Sequence, residues 1–349
     1  MNTKPQRAAP GVTAVTCVKN EGPFILEWLA HNRVLGVRDF LVYSNDCDDG
    51  TDVLLDALAT QGWLTHLPNP AQGRNYQMEA LRDAARQPVV ARADWVWVAD
   101  VDEFLNVHAG DHTIGALIEA CGDPQAISVP FQFFANGGVL AFEDRPVTKQ
   151  FDRCHDPDIW CGSLSIEVKT LVRGDFPLQY FGAHRPYFRK GTAGPSAWTD
   201  ASGRPVPAAF RDAAEKGQLR SIPARGARRF ATLNHYPLRS VESFLVKIAR
   251  GDVNRAGRVF DADYWRDRND SAWADRSILR YRDATRAAVA ALRADPAVAQ
   301  AHAACVAAHR ARIAALLSDP ERAAFARHLQ ALPTIPEAEA ALAAELGLA

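Results

Sequence analysis

Through residues 12–110 the chain switches between short continuous apolar runs and stretches with a 3.6-residue apolar period. This predicts strands alternating with helices in an α/β sheet. Val12–Val18 reads as a buried strand. Gly22-Pro23 opens a helix, with Pro23 near its first position, where a missing N–H is harmless, and Phe24, Ile25, Trp28 and Leu29 on one face. Gly36 stops it. Phe40–Tyr43 is the second strand, and Asp49-Gly50-Thr51-Asp52 is a turn that caps a helix over Val53–Ala59, closed by Gly62. Trp63–Leu67 is the third strand, Asn75–Ala85 a helix and Trp95–Ala99 the fourth strand. Ligands of open parallel sheets bind outside the carboxyl ends of the strands. Four loops therefore matter: Lys19-Asn20-Glu21, Ser44–Thr51, Pro68–Asn75 and Asp100–Glu103.

From Thr113 to Lys169 the pattern gives another helix, then β-rich segments such as Ile127–Val129 and Ile166–Val168. Arg189–Arg229 is rich in Gly, Pro and Arg with weak periodicity, which predicts a long, lid-like surface excursion with one short helix near Ala208–Lys216. Ser240–Arg250 is helical again. From Ser277 the chain is Ala-rich and helical; Asp295-Pro296 and Asp319-Pro320 each read as an N-cap followed by Pro, and Thr334–Glu337 as a capping box. The apolar stripes of this tail suit packing on the preceding domain, with a dimer or membrane-surface contact as the alternative.

At 349 residues and 48% apolar content the chain can bury a sizeable core. A net charge of −1 argues against a dedicated nucleic-acid binder, yet allows a small anionic ligand held by a few local groups. No apolar run reaches the ~18–20 residues of a membrane span, and the opening MNTKPQRAAPG has no apolar core of a secretory signal. The six cysteines are sparse, which fits a reducing, cytoplasmic compartment. Cys154-His155 with Cys161 matches no standard zinc spacing.

The strongest chemical feature is the strand Trp95–Ala99 running into Asp100-Val101-Asp102. On an extended chain Asp100 and Asp102 point the same way. Adjacent carboxylates repel and raise each other's pKa unless a cation lies between them. Hard divalent cations take such ligands and complete their shell with substrate phosphates. The bland alternative is a solvated acidic turn.

Five stretches, in order over residues 12–250, resemble the family-2-like glycosyltransferases of the GT-A fold, in particular the bacterial branch close to the DUF23 and family-92 enzymes. They are Val15–Glu21 with Glu27-Trp28, Ser44–Thr51, Asp100–Phe104, Gly182–Pro186 and His235–Ser240. The resemblance implies a Rossmann-like, mostly parallel central sheet. The tail and the Arg/Gly/Pro excursion lie outside the resemblance; with the chain pattern added, the expected division is a disordered segment 1–11, a catalytic domain 12–275 and a helical C-terminal extension 276–349. The catalytic domain would divide into a nucleotide-binding half, 12–110, and an acceptor half, 111–275, with the lid at 189–229. The implied activity is metal-dependent transfer of a sugar from a nucleotide sugar, a UDP-sugar being favoured, to a glycan, glycolipid or other hydroxyl acceptor, with inversion. Mn²⁺ is favoured over Mg²⁺, and the setting is cell-surface polysaccharide biosynthesis in the cytoplasm or at the inner face of the membrane.

Carried onto this chain, Asn20 and Glu21 sit at the base, and Asp46, beside Asn45, accepts from a uracil-type N–H or a ribose hydroxyl; the alternative for Asn45 and Asp46 is an Asx-turn. Arg74 reaches a phosphate. Asp100 and Asp102 bind metal and diphosphate; His235 joins them as a ligand, and His184 lies at the nucleotide sugar. Arg239 and Lys247 neutralise the departing diphosphate. Glu27 and Trp28 fall on a helix and pack. The residues do not choose a catalytic base among Glu143, Asp152, Asp156, Asp158, Glu167 and Asp175. Two rivals remain: a sugar nucleotidyltransferase, for which Lys19-Asn20-Glu21-Gly22 has too few glycines, and a non-catalytic glycan- or nucleotide-binding domain.

Overall fold

In the computed structural model, which describes residues 9–73, 75–156, 167–189, 191, 194–212, 222–223, 225–251 and 260–347, the apolar run Val12–Val18 forms β1. It is flanked by strands on both edges and covered on both faces, which is why it reads as continuous rather than alternating. There follow α1 (Gly22–Val34), β2 (Val37–Ser44), α2 (Thr51–Thr60), β3 (Thr65–Pro68), α3 (Tyr76–Ala84), α4 (Pro88–Ala91) and β4 (Trp95–Val98). Next come β5 (Glu103–Val107), α5 (Ile114–Ala120), β6 (Ala126–Phe133), α6 (Val147–Gln150), β7 (Arg153–Cys154) and β8 (Val168–Arg173). The later part holds β9 (Leu178–Phe181), β10 (Pro186–Phe188), β11 (Trp198–Asp200), α7 (Ala208–Arg211), β12 (Ala231–His235), α8 (Val241–Arg250), α9 (Ala262–Arg266) and β13 (Trp273–Ala274). A 3₁₀ turn, Ser277–Tyr281, leads into α10 (Arg282–Leu292), α11 (Pro296–Leu317), α12 (Pro320–Ala331) and α13 (Glu337–Glu345).

The main sheet runs β3-β2-β1-β4-β8-β6-β12-β5, with β11 beside β6. Five of its eight strand pairings are parallel, so the mostly parallel sheet is the one expected. The parallel block β3-β2-β1-β4 brings the loops after Val18, Ser44 and Val98 to one edge. β12 then lies antiparallel to β5, with His235 opposite Glu103. That register carries a residue from late in the chain to the loop after β4.

The extension packs as a layer of the same protein. Leu292, Val298, Ala301 and Cys305 share one core cluster with β1, α1 and β4. Gly22 shows how close the approach is: a Cβ there would lie 2.4 Å from Cys305 Sγ, so any side chain would force α1 and α11 apart. Asp295 and Asp319 accept from backbone N–H groups of the turns they cap, as their sequence pattern predicts.

Two local expectations are corrected. Thr334–Glu337 forms no capping box; Pro336 is the residue before α13 and the Thr334 carbonyl accepts instead from Ser271. Arg189–Arg229 is no free excursion over its described part. Trp198–Asp200 adds a strand to β6, buried Trp198 donates to Ser128 Oγ at 2.9 Å, and Phe210 is buried. A three-residue strand anchored by one tryptophan is too short to show as periodicity. Cys154 and His155 are buried, bonded to Gln132 and to the Phe133 N–H, while Cys161 lies outside the described residues.

Where α13 meets the body, Asp270 and Glu339 are buried carboxyl against carboxyl, with Asp156 nearby. Burial, then the facing Asp270, pushes the Glu339 carboxyl well up. The folded state thus holds a proton that the unfolded chain, titrating near ~4.3, has already released. This stability is complete below that range and is lost as pH rises through the raised value. Glu339→Gln is expected to flatten the fall in Tm between pH 5 and pH 9, leaving Tm at pH 5 nearly unchanged. Parallel Tm–pH curves for the two proteins would refute the shared proton.

Candidate functional site

The loop after β1 and the loop after β2 are tied together. Asn20, at φ 54°, donates from Nδ2 to Asp48 Oδ1 at 2.5 Å and accepts from the Asp48 N–H at 3.0 Å. Asp46 also has positive φ, 46°; its side chain is exposed and bonds the Tyr76 hydroxyl. Asn and Asp tolerate the left-handed region, and such conformations persist only where the surroundings over-determine them. Asn45 is buried, its N–H bonded to the Val18 carbonyl. Thr51 Oγ1 accepts from the Gly22 N–H at 2.7 Å and donates to Asp49, so that turn joins the starts of α1 and α2. Glu27 is structural: it accepts from Val147 and Thr148.

The Asp100-Val101-Asp102 stretch is a turn. Its ends are closed by the Glu103 N–H on the Asp100 carbonyl at 3.0 Å, so the alternation expected of an extended chain does not apply. The two aspartates have separate partners. Asp100 faces Lys169 Nζ at 2.9 Å and Gln77 Nε2 at 3.1 Å. Asp102 faces His235 Nε2 at 3.5 Å and Lys247 Nζ at 3.3 Å. Lys169 is 1% exposed and also lies 3.3 Å from the equally buried Glu103. The triad with ligand atoms within 4.8 Å of one another is Asp102, Glu103 and His235, with Asp100 left outside it.

Electrostatics follow from this interleaving. Burial favours the neutral acid at Asp102, yet His235 and Lys247 hold its carboxyl well below the usual range. Burial pushes Glu103 well up, with Lys169 opposing. Burial would also lower Lys169, but Asp100 and Glu103 raise it above its ordinary value. His235 packs against Phe131 and Phe133, at 4.8 and 5.0 Å between ring centroids; burial lowers its pKa, with the facing Asp102 opposing. Its buried Nδ1 has no partner among the described residues.

A cationic wall stands beside Asp102. Arg239, at φ 57°, lies over the Phe24 ring at 3.6 Å and donates to Glu21 at 2.9 Å. Arg250 donates to the other Glu21 oxygen at 2.6 Å and to the Lys19 carbonyl at 2.7 Å. Despite burial, these two cations keep Glu21 below its ordinary pKa. Arg239 Nε and Nη2 and Arg250 Nε are buried with no partner among the described residues. Orphaned donors carry the full penalty of desolvation, and each calls for a missing acceptor.

The remaining candidates scatter. His184 bonds the Val168 carbonyl through Nδ1 and lies 4.0 Å from Glu167, outside the triad. Glu143, Asp152 and Asp175 pair with Arg145, Arg276 and Arg173. Asp175 follows β8 at the amino end of β4, the far side of the sheet from Asp100. Asp156 lies by Glu339, whereas Glu167 directly precedes the strand that carries Lys169. Arg74 and Asp158 lie outside the described residues. Sequence reasoning missed Glu103, Lys169 and Arg250. A lysine inside the apolar run Val168–Val172 was the available signal, since a buried ammonium requires carboxylate partners.

Removing one partner of a buried ion pair leaves the other uncompensated, at a cost of ~3–5 kcal/mol. Lys169→Met is therefore expected to lower unfolding free energy in urea by about 3 kcal/mol. Adding Glu103→Gln should recover part of that loss by removing the stranded carboxylate. A Lys169→Met protein as stable as the wild type would show that the ammonium is dispensable.

The glycosyltransferase family 92 model matches residues 13–175. A glycosyltransferase family 92 protein of Oryza sativa subsp. japonica is 29% identical over 105 residues, and one of Ricinus communis is 32% identical over 110. Each alignment covers 29% of this chain but only 17% and 18% of the relatives, so the chain spans under a fifth of the length of these curated proteins. Among solved structures, S. aureus TarS 1-349 aligns over 92% of this chain and 88% of its own at 12% identity and TM-score 0.34. Glucosyl-3-phosphoglycerate synthase from Mycobacterium tuberculosis, solved with Mn²⁺, UDP and glucosyl-3-phosphoglycerate, aligns over 50% of this chain and 64% of its own at 15% identity and TM-score 0.27. Through residues 13–175, the stretch that carries Asn20, Glu21, Asp46, Asp100, Asp102 and Glu103, the chain is similar to glycosyltransferase family 92.

Proposed function

We propose that this protein is a glycosyltransferase that moves a sugar from a nucleoside-diphosphate sugar, a UDP-sugar being favoured, to a hydroxyl of a glycan or glycolipid. The observation that carries this reading is the set of guanidinium donors on Arg239 and Arg250 that have no partner among the described residues, beside the Asp102–Glu103–His235 triad. Buried cations with open hydrogen-bond positions next to metal-type ligands suit a diphosphate. The family match over residues 13–175 supports the same class of donor.

In this reading Asp102, Glu103 and His235 would hold a divalent cation. Two carboxylates and a neutral imidazole are a donor set that suits Mn²⁺. When bound, the metal supplies Lewis-acid stabilisation of the leaving diphosphate. Arg239, Arg250 and Lys247 neutralise the same charge, and Asn20, Glu21, Asn45 and Asp46 line the nucleoside end. Asp100, tied to Lys169, orients the sugar-diphosphate rather than ligating. Glu167, directly before the strand that carries Lys169 and near His184, is the carboxylate we assign, among the described candidates, to take the acceptor's proton in an inverting transfer. No helix among the described residues is long and apolar enough to cross a membrane. A cytoplasmic setting with peripheral contact at the inner face of the membrane goes with this reading.

The test is release of UDP from UDP-sugars with Mn²⁺, with and without EDTA. Asp102→Asn is expected to cut turnover by about 100-fold, the order expected when charge stabilisation at a leaving group is removed. Full activity in EDTA would refute the metal, and no UDP release with any acceptor would leave a binding domain. Arg239→Ala is expected to weaken UDP about tenfold, the scale of one charge-assisted hydrogen bond, and to spare uridine, which has no phosphate. Calorimetry measures both; equal losses would move Arg239 to the nucleoside end.

A further inference from the structure

α11 reaches the nucleotide loops, although it lies outside the stretch that matches the family. It runs against the first turn of α1 at Gly22, where Cys305 leaves no room for a side chain. One turn on, buried His309 packs on the Phe24 and Phe142 rings, at 5.6 and 4.5 Å between centroids, and its Nε2 is 3.1 Å from Ser243 Oγ. Next on the same side, Arg312 Nη2 donates to Asp48 Oδ2 at 2.7 Å. The other Asp48 oxygen takes the Asn20 amide, and the Asp48 N–H returns to Asn20. The helix, the loop after β2 and the loop after β1 are thus bonded in series. Between them lies a cavity of about 180 Å³, lined by Asn20, Asp46, Asp48, Arg250, His309 and Arg312.

We infer that α11 is a wall of the nucleotide pocket and that Arg312 is a positioning residue, acting through Asp48 to hold Asn20 in its left-handed conformation. The inference rests on the proposed function, since it assigns the cavity to the nucleoside end of the donor. The Arg312–Asp48 pair is half exposed, 45% and 57%, and such pairs add little to stability. Their value lies in preorganisation: a loop already fixed does not have to be ordered when the ligand arrives.

The experiment is calorimetric binding of UDP and of uridine to the full chain and to Arg312→Ala, Asp48→Asn and the double variant, with Tm as a control. Arg312→Ala is expected to weaken UDP and uridine alike by about threefold to fivefold, the range of an exposed ion pair, with Tm unchanged. In the Asp48→Asn background, Arg312→Ala is expected to add nothing further. Two results would overturn the inference while leaving the proposed function standing: unchanged affinity in Arg312→Ala when the wild type binds UDP, or equal losses in both backgrounds, which would make Arg312 a direct contact. If the wild type binds neither ligand, the proposed function fails and this inference falls with it.

Discussion

Four carboxylates, Glu21, Asp100, Asp102 and Glu103, meet at the carboxyl edge of the parallel strands, and they can be neighbours only because cations are interleaved among them. Lys169 takes Asp100 and Glu103, Lys247 and His235 take Asp102, and Arg239 and Arg250 take Glu21. In a low-dielectric site an unpaired carboxylate would protonate or force the loop open. The conformation of the Asp100–Glu103 turn, and with it the spacing of the triad, depends on this neutralisation.

The pairing is drawn from distant parts of the chain, so the sheet must be assembled before the site exists. Lys169 arrives on β8, which lies antiparallel against β4. His235 arrives on β12, in register with Glu103 on β5. Lys247 and Arg250 arrive on α8, whose start is fixed by the Ser240 cap. The cationic side retains donors without partners among the described residues, which is the asymmetry a ligand with many acceptor oxygens would resolve. The helical extension belongs to this assembly as well, since α11 shares the core of α1 and bonds to the loop after β2.

Much of this was legible in the sequence for a simple reason: local patterns encode local structure. The apolar runs at Val12–Val18 and Trp95–Ala99, the Pro23 helix start and the Asp295 and Asp319 caps are each decided by a few adjacent residues, and the strands and helices follow. Because parallel strands end at one edge, the sequence by itself also placed the loops after Val18, Ser44 and Val98 together, and its motifs pointed to the family that residues 13–175 resemble. What only the tertiary structure decided is which charge sits beside which. Reading Asp100 and Asp102 as a pair assumed an extended backbone, whereas the turn sends Asp100 to Lys169 and leaves Asp102 with Glu103 and His235. Trp198 becoming a sheet strand, Thr334 failing to cap, and Arg312 reaching Asp48 across 264 positions are of the same kind. A side chain's partner is set by strand register and helix packing, and those are fixed by the burial of the whole core, which no short window of sequence contains.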